Sequence, residues 1–292
     1  MAYLIPSDYL RQIQDANLQQ IITSNVSVRL GAELAAQAEA ISYLRQKYNV
    51  TQEFTDTNKW GKSSTYKALN RVYLDAVQYA GANTYNIGDY VLNTGIVYVC
   101  NTNGTTGTFD VSKFNVVGNQ YDIYYAITPV PIFNVYEFYK KDDVVFWNNH
   151  TYKCLVQTKT GSHESDLQDH IYSNIPLPNV FPDSTGASTS WQDLGAYNVA
   201  SNTDINNTTY WSKSDNRDQQ MVLYFVDITL YHLHARIAPR NIPQLRIDRY
   251  TNAINWLKMC ATGDVTPALP VIQPKSGGRI RFGGNVKQIN SY

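Results

Sequence analysis

The chain has 292 residues, with 24 Lys and Arg balanced by 24 Asp and Glu, so no net charge draws it to nucleic acid or to a membrane surface. It is long enough to bury a sizeable core, and no apolar run in it approaches the ~20 residues of a membrane span. The balance is uneven: residues 1–80 carry +1, 81–213 carry −6 and 214–292 carry +5, as if two modules had been joined.

In chain order, the opening MAYLIPSDYL carries an early acid and no basic run, which reads as synthesis and folding in a cytoplasm rather than secretion. Ser7 is placed to cap a short helix beginning DYLRQIQ. A longer helix is predicted from about Ser27 to Tyr48, with Leu30, Leu34, Ile41, Leu44 and Tyr48 forming one apolar stripe. Ala32, Ala35, Ala36, Ala38 and Ala40 would let another helix approach closely. The polar stretch from Asn49 to Ser64 reads as a loop, and Tyr66 to Tyr79 fits helix or strand.

From about Gly81 the texture turns to short β-branched and aromatic runs separated by Asn, Gly, Thr and Pro, and 12 of the 23 tyrosines fall in 81–213. GDYVLNTGIVYVCN (88–101) aligns without gaps on DDVVFWNNHTYKCL (142–155), matching Asp89 to Asp143, Val91 to Val145, Tyr98 to Tyr152 and Cys100 to Cys154. Each copy reads as a β-hairpin, so the region contains one small β-module twice, over about 85–120 and 136–197. A Pro-rich passage and SWQDLG close the second copy. Cys100, Cys154 and Cys260 match neither a zinc motif nor a disulfide framework, so buried reduced thiols are expected.

Helix returns near Ser214, where Met221, Phe225, Ile228, His232 and Ala235 share a face and further apolar residues flank it, implying burial on more than one side. APRNIP (238–243) breaks that helix and starts another, with Tyr250, Ile254, Leu257 and Ala261 as its stripe and Gly263 as its C-cap. The segment 271–292 has four basic and no acidic side chains and reads as an extended arm. Within it Arg279, Ile280, Arg281 and Phe282 alternate as an added edge strand would, with Lys287 beyond, so a contact with a neighbouring subunit stands beside a simple basic end.

MAYLIPSDYLRQI, AISYLRQKYNV, ITLYHLHARIAPRNIP and RYTNAINWLKMCATGDVTPALP, in this order, resemble the phage Mu-like head–tail connector (adaptor) family, nearest to the ring proteins at the portal vertex of crAss-like bacteriophages. The resemblance covers about 1–80 and 214–275. It implies a helical adaptor domain, here in two halves (1–80 and 214–270); the long all-β insertion at 81–213 departs from the compact family pattern, and with the extended arm at 271–292 it makes the expected class α+β. The resemblance further implies a ring of about twelve copies under the portal of a virion, joined to other tail or ring proteins, with DNA passing through unread. Neither catalysis nor a cofactor is implied. The insert itself resembles small chitinase-type sugar-binding modules, through YNIGDYVLNTGIVYVC, YKKDDVVFWNNHTYKC and SWQDLG. That likeness implies contact with host glycan, or with head or tail proteins where the scaffold alone is kept.

Trp147 and Trp191 are the candidates for stacking on sugar; filling a very small core is the commoner use of a tryptophan, which weighs more against Trp191 than against Trp147. Asp142 and Asp143, although adjacent carboxylates, point in different directions and read as a structural turn. GSHESDLQDH (161–170) has the composition of a cation site but no ligand spacing, and reads as a solvated loop. His232 and His234 lie on different sides of a helix and read as packing or interface residues. Because the helical halves must pair across the insert, its two ends are expected to lie close together.

Overall fold

The computed structural model describes residues 3–135, 137, 139–156, 181–183, 187–237 and 241–272. The chain is mixed α+β and divides into two compact units: Met1–Pro129 with Tyr197–Ile272, and a second within Val130–Ala196.

The helical part of the first unit opens with a 3-10 turn, Pro6–Arg11, rather than a Ser7-capped helix; the Asp8 carboxylate closes the turn by accepting from the Ile5 amide at 2.8 Å. Helices α1 (Asp15–Ile22), α2 (Val26–Leu44) and the short α3 (Val50–Glu53) follow, and α4 (Gln219–Ile237) and α5 (Gln244–Thr262) return from the far side of the sequence. Asn25 caps α2 by accepting from the Ser27 amide. Gly263 takes the left-handed conformation that ends α5, as its position foretold.

Helices α2, α4 and α5 pack mutually. Helix α4 is the central one: Met221, Val222, Phe225, Val226, Ile228, Leu230 and Leu233 are all buried, covering more of its circumference than one stripe. The buried line of α2 is Glu33, Ala36, Ala40 and Leu44; Leu44 and Tyr48 of the expected stripe are buried and Ile41 packs on the core, but Leu34 is 52% exposed and Leu30 half-buried. Ala36 and Ala40 permit close helix approach, and the Oε1 of Glu33 meets the Tyr9 hydroxyl (2.7 Å) and Arg29 (3.2 Å), so tertiary partners bring a carboxylate onto the inner face that hydrophobicity alone does not mark.

The helical first half expected over 1–80 is shorter than that: helix ends at Glu53, and strands begin at once. β1 (Thr57–Lys59), β3 (Arg71–Tyr73), β8 (Ile123–Ala126) and β13 (Trp211–Lys213) form one sheet in that order, and β2 (Tyr66–Lys67) pairs with β12 (Asn198–Val199). Tyr66 to Tyr79 is therefore strand and turn rather than helix. Strands β3 and β13, on the chain's way into and out of the insert, both bond to β8, so the two ends converge as the pairing of the helical halves requires.

The repeat is present in three dimensions. The first copy is β4 (Val77–Gln78), β5 (Tyr90–Asn93), β6 (Ile96–Cys100) and β7 (Phe114–Asn119), joined in that order; the second is β9 (Val144–Trp147), β10 (His150–Cys154) and β11 (Trp191–Ala196). The Asp89 carboxylate accepts from the Asn86 amide and that of Asp143 from the Lys140 amide, each at 2.7 Å. The amides of Cys100 and Cys154 donate to the carbonyls of Asp89 and Asp143, each at 2.8 Å. Even the third strands match, with Phe114 opposite Cys100 and Trp191 opposite Cys154, and a bulge at the same level. Both hairpins turn on two residues of positive φ, Thr94–Gly95 and Asn148–Asn149, which the right-handed strand twist favours.

The copies differ in their second face. In the first copy Leu92, Val97 and Val117 join Trp60, Leu74, Tyr124 and Trp211 in one core, so this module is fused into the first unit. On the other face both copies close a core at matched positions, Val91, Tyr98, Cys100 and Phe114 in the first and Val145, Tyr152, Cys154 and Trp191, with Phe133, in the second. The expected boundary at residue 80 thus does not separate an independent insert.

Candidate functional surfaces

The residues with the strongest mutual geometry lie where the first strands meet the entry to α4. The Arg217 side chain is wholly buried and donates five hydrogen bonds: two to Asp8 (2.8 and 3.1 Å), two to Asp215 (2.9 Å each) and one to the Tyr3 carbonyl (2.9 Å). Burial opposes both charges, but their pairing wins: the carboxylates of Asp215 and Asp8 raise Arg217 above its ordinary value, and Arg217 holds Asp215 below its own. The Tyr3 ring lies between two guanidiniums, 5.6 Å from Arg217 and 5.7 Å from Arg71, and its hydroxyl donates to Glu53 at 2.7 Å. Arg71 in turn holds Glu53 at 3.3 Å and Asn216 at 2.6 Å. All of these groups are consumed by one another, so the cluster is a structural lock tying the N-terminal segment to both stems of the insert. Sequence reasoning missed it because the pairs that close it are distant, Arg71 lying 145 residues from Asn216 and Arg217 209 residues from Asp8.

Trp191 is 3% exposed, edge-on to Phe133 (5.6 Å) and Tyr139 (5.3 Å); it fills the core of the second module and offers no face to a sugar, which corrects its candidacy for stacking. Trp147 is half-buried, packed against Phe133 and Phe181, and its indole nitrogen has no hydrogen-bond partner among the described residues. Around it the second copy carries Asn148, which donates to Asp183, and His150, whose Nδ1 lies 2.9 Å from Asp193. The Gly195 amide and His150 hold the Asp193 carboxyl below the usual range. At the matching positions the first copy has Asn93, Thr94, Ile96 and Val116.

Asp142 adopts φ +74°, matching Gly88 at +94° in the first copy, and pairs with Lys153 at 2.7 Å; Asp143 is tied into its turn. Neither faces a cleft with the other. His232 Nε2 lies 3.1 Å from Glu39, which also accepts from Tyr250 at 2.6 Å, so this histidine cross-links α2, α4 and α5. The cysteines form no disulfide and all three are buried; burial pushes the Cys260 thiol up to about 11. Among the described residues no group of three or more His, Cys, Asp or Glu is arranged to hold a metal ion, and no helix is long and apolar enough to cross a membrane. Arg279, Ile280, Arg281, Phe282 and Lys287, and the stretch 161–170, lie outside the described residues. No family model matches the chain, and no curated protein is similar to it.

Proposed function

We propose that the chain is a structural protein of a tailed-bacteriophage virion: a head–tail connector whose copies form a closed ring of about twelve under the portal and continue the DNA channel. The observation that carries this reading is the union of the segments with the connector-like sequence. ITLYHLHARI and RYTNAINWLKMCAT are the bodies of α4 and α5, and the N-terminal helices pack on them across the whole insert. In this reading the protein is assembled in the bacterial cytoplasm and performs no catalysis. The helices form the wall of the ring, the basic arm at 271–292 ties a subunit to its neighbour or to the portal, and DNA passes without base-specific contact. Mass photometry and negative-stain microscopy of the full-length protein, alone and with its portal, test it. Rings, or monomers recruited to the portal as a ring, are expected; monomers that ignore the portal would refute it.

A second reading, a virion protein that binds host-surface glycan, is favoured by one contrast between the copies. Where the first has Asn93, Thr94, Ile96 and Val116, the second presents a half-buried indole beside a fixed Asn–Asp and His–Asp pair, a surface of the aromatic and polar kind that meets sugar rings. Retention on immobilised host polysaccharide that Trp147→Ala abolishes is the expected result. Equal retention of wild type and variant, or none, removes this reading.

A further inference from the structure

A cleft of about 590 Å³ opens in the first unit between α1, the end of α4 and the first turn of α5. Its apolar lining includes Ile13, Ile21 and Leu245, the last 59% exposed, and the Gln14 and Gln20 amides stand along its rim. Arg246 lines it too, and among the described residues no carboxylate lies within hydrogen-bond reach of its guanidinium, Asp227 acting on it only from farther away. The Arg246 guanidinium reaches only neutral oxygens of Gln12, the carbonyl at 3.3 Å and the side-chain amide oxygen at 3.5 Å. Arg249 shares that amide oxygen at 2.6 Å, so two cations converge on one dipole. Asp227 is the acid beside them: it stands 3.7 Å from Arg249, is buried, and its Oδ1 has no hydrogen-bond partner among the described residues. Asp248 is engaged by Gln244, and Asp15 by Gln19. Burial and the neighbouring Arg249 hold Arg246 below its ordinary value, as expected where like charges crowd. Pro243, preceding α5, offers no side-chain cap, so the first amides of that helix add positive potential at the same mouth.

We propose that this cleft is the docking site for an acidic segment of another protein, with a carboxylate meeting Arg246 and a neighbouring apolar side chain seated on Ile13, Ile21 and Leu245. The charge selects an anion, and the mixed lining selects a peptide over a nucleic-acid backbone. Rim amides pair with peptide groups, and the apolar floor takes a side chain that a sugar–phosphate backbone does not have. This inference does not rest on the ring reading, since the cleft belongs to a single copy.

The test is fluorescence anisotropy of the full-length protein with three labelled probes: an alternating Glu–Leu octapeptide, an alternating Lys–Leu octapeptide and a twelve-base-pair duplex. Saturable binding of the acidic peptide alone is expected, weakening as salt rises. Arg246→Glu should weaken it at least tenfold and confer binding of the basic peptide. Leu245→Ser removes an exposed apolar contact without touching any ion pair, and should weaken the acidic peptide severalfold while leaving the melting curve unchanged. It therefore carries the test if Arg246→Glu fails to fold. Equal affinity of wild type and Leu245→Ser for the acidic peptide, or binding of the duplex in its place, would overturn the proposal.

Discussion

Arg217 shows how much one side chain can hold. Its five donors are satisfied by two carboxylates and a carbonyl, all in an environment where water cannot replace them. Arg217→Met should therefore cost about 3–5 kcal/mol, because it leaves Asp8 as a buried carboxylate without its counter-charge. Urea denaturation should show a lower midpoint at an unchanged slope. Glu33 behaves in the opposite sense. Burial raises its folded-state value above 4.5, against the lowering effects of Tyr9 and Arg29, so the folded protein binds the proton more tightly than the unfolded chain. Its ionisation thus lowers stability as pH rises from 4.5 through the folded-state value, and the loss is complete above it. Glu33→Gln, which still accepts from Tyr9, should flatten that part of the pH–stability curve; an unchanged slope would refute the assignment.

Among the elements, the paired hairpins supply their own controls. The first turns on Thr94–Gly95 and the second on Asn148–Asn149, all at positive φ. Asn149 is held at φ 66°, with its side-chain oxygen buried and without a hydrogen-bond partner among the described residues. Asn149→Gly copies the first module, removes the unpaired oxygen and relieves the backbone, so a gain of about 1 kcal/mol is expected in thermal unfolding. Gly81 is the reverse case. A Cβ there would stand 2.2 Å from the Gly107 carbonyl oxygen, in the very place where the Gly107 amide bonds back to Gly81. Gly81→Ala should destabilise the first module by about 1–3 kcal/mol, read as a lower melting temperature.

For the molecule as a whole, the same β-module has been used in two ways. The first copy shares its outer face with the sheet of the first unit, and the second has an enclosed core of its own. Excising residues 130–196 behind a Gly–Ser linker should leave a protein that unfolds cooperatively, whereas excising 81–118 should leave one that does not. The second deletion strips Leu92, Val97 and Val117 from a core that has no other supply of apolar surface on that side. A stably folded 81–118 deletion would show that the first module is as separable as its sequence suggests.

What the chain by itself determined was everything carried by local periodicity and by repetition. The hairpins, their turns, the matched Asp, Tyr and Cys positions, the α5 stop at Gly263 and the buried breadth of α4 all follow from spacing, because neighbours in sequence set them. Tertiary structure alone decided which face of α2 is inside, since small alanines and a buried Glu33 look no more apolar than Leu34 until α4 and Tyr9 are present. It also made strands within residues 57–78, where β3 pairs with β8 and β2 with β12, both far downstream in the sequence. Trp147 and Trp191 looked alike as candidates, and only packing separated the core filler from the surface ring. The Arg217 lock and the cleft beside Arg246 were invisible for the same reason: each joins residues that no sequence window contains, and their charges have meaning only once burial sets what surrounds them.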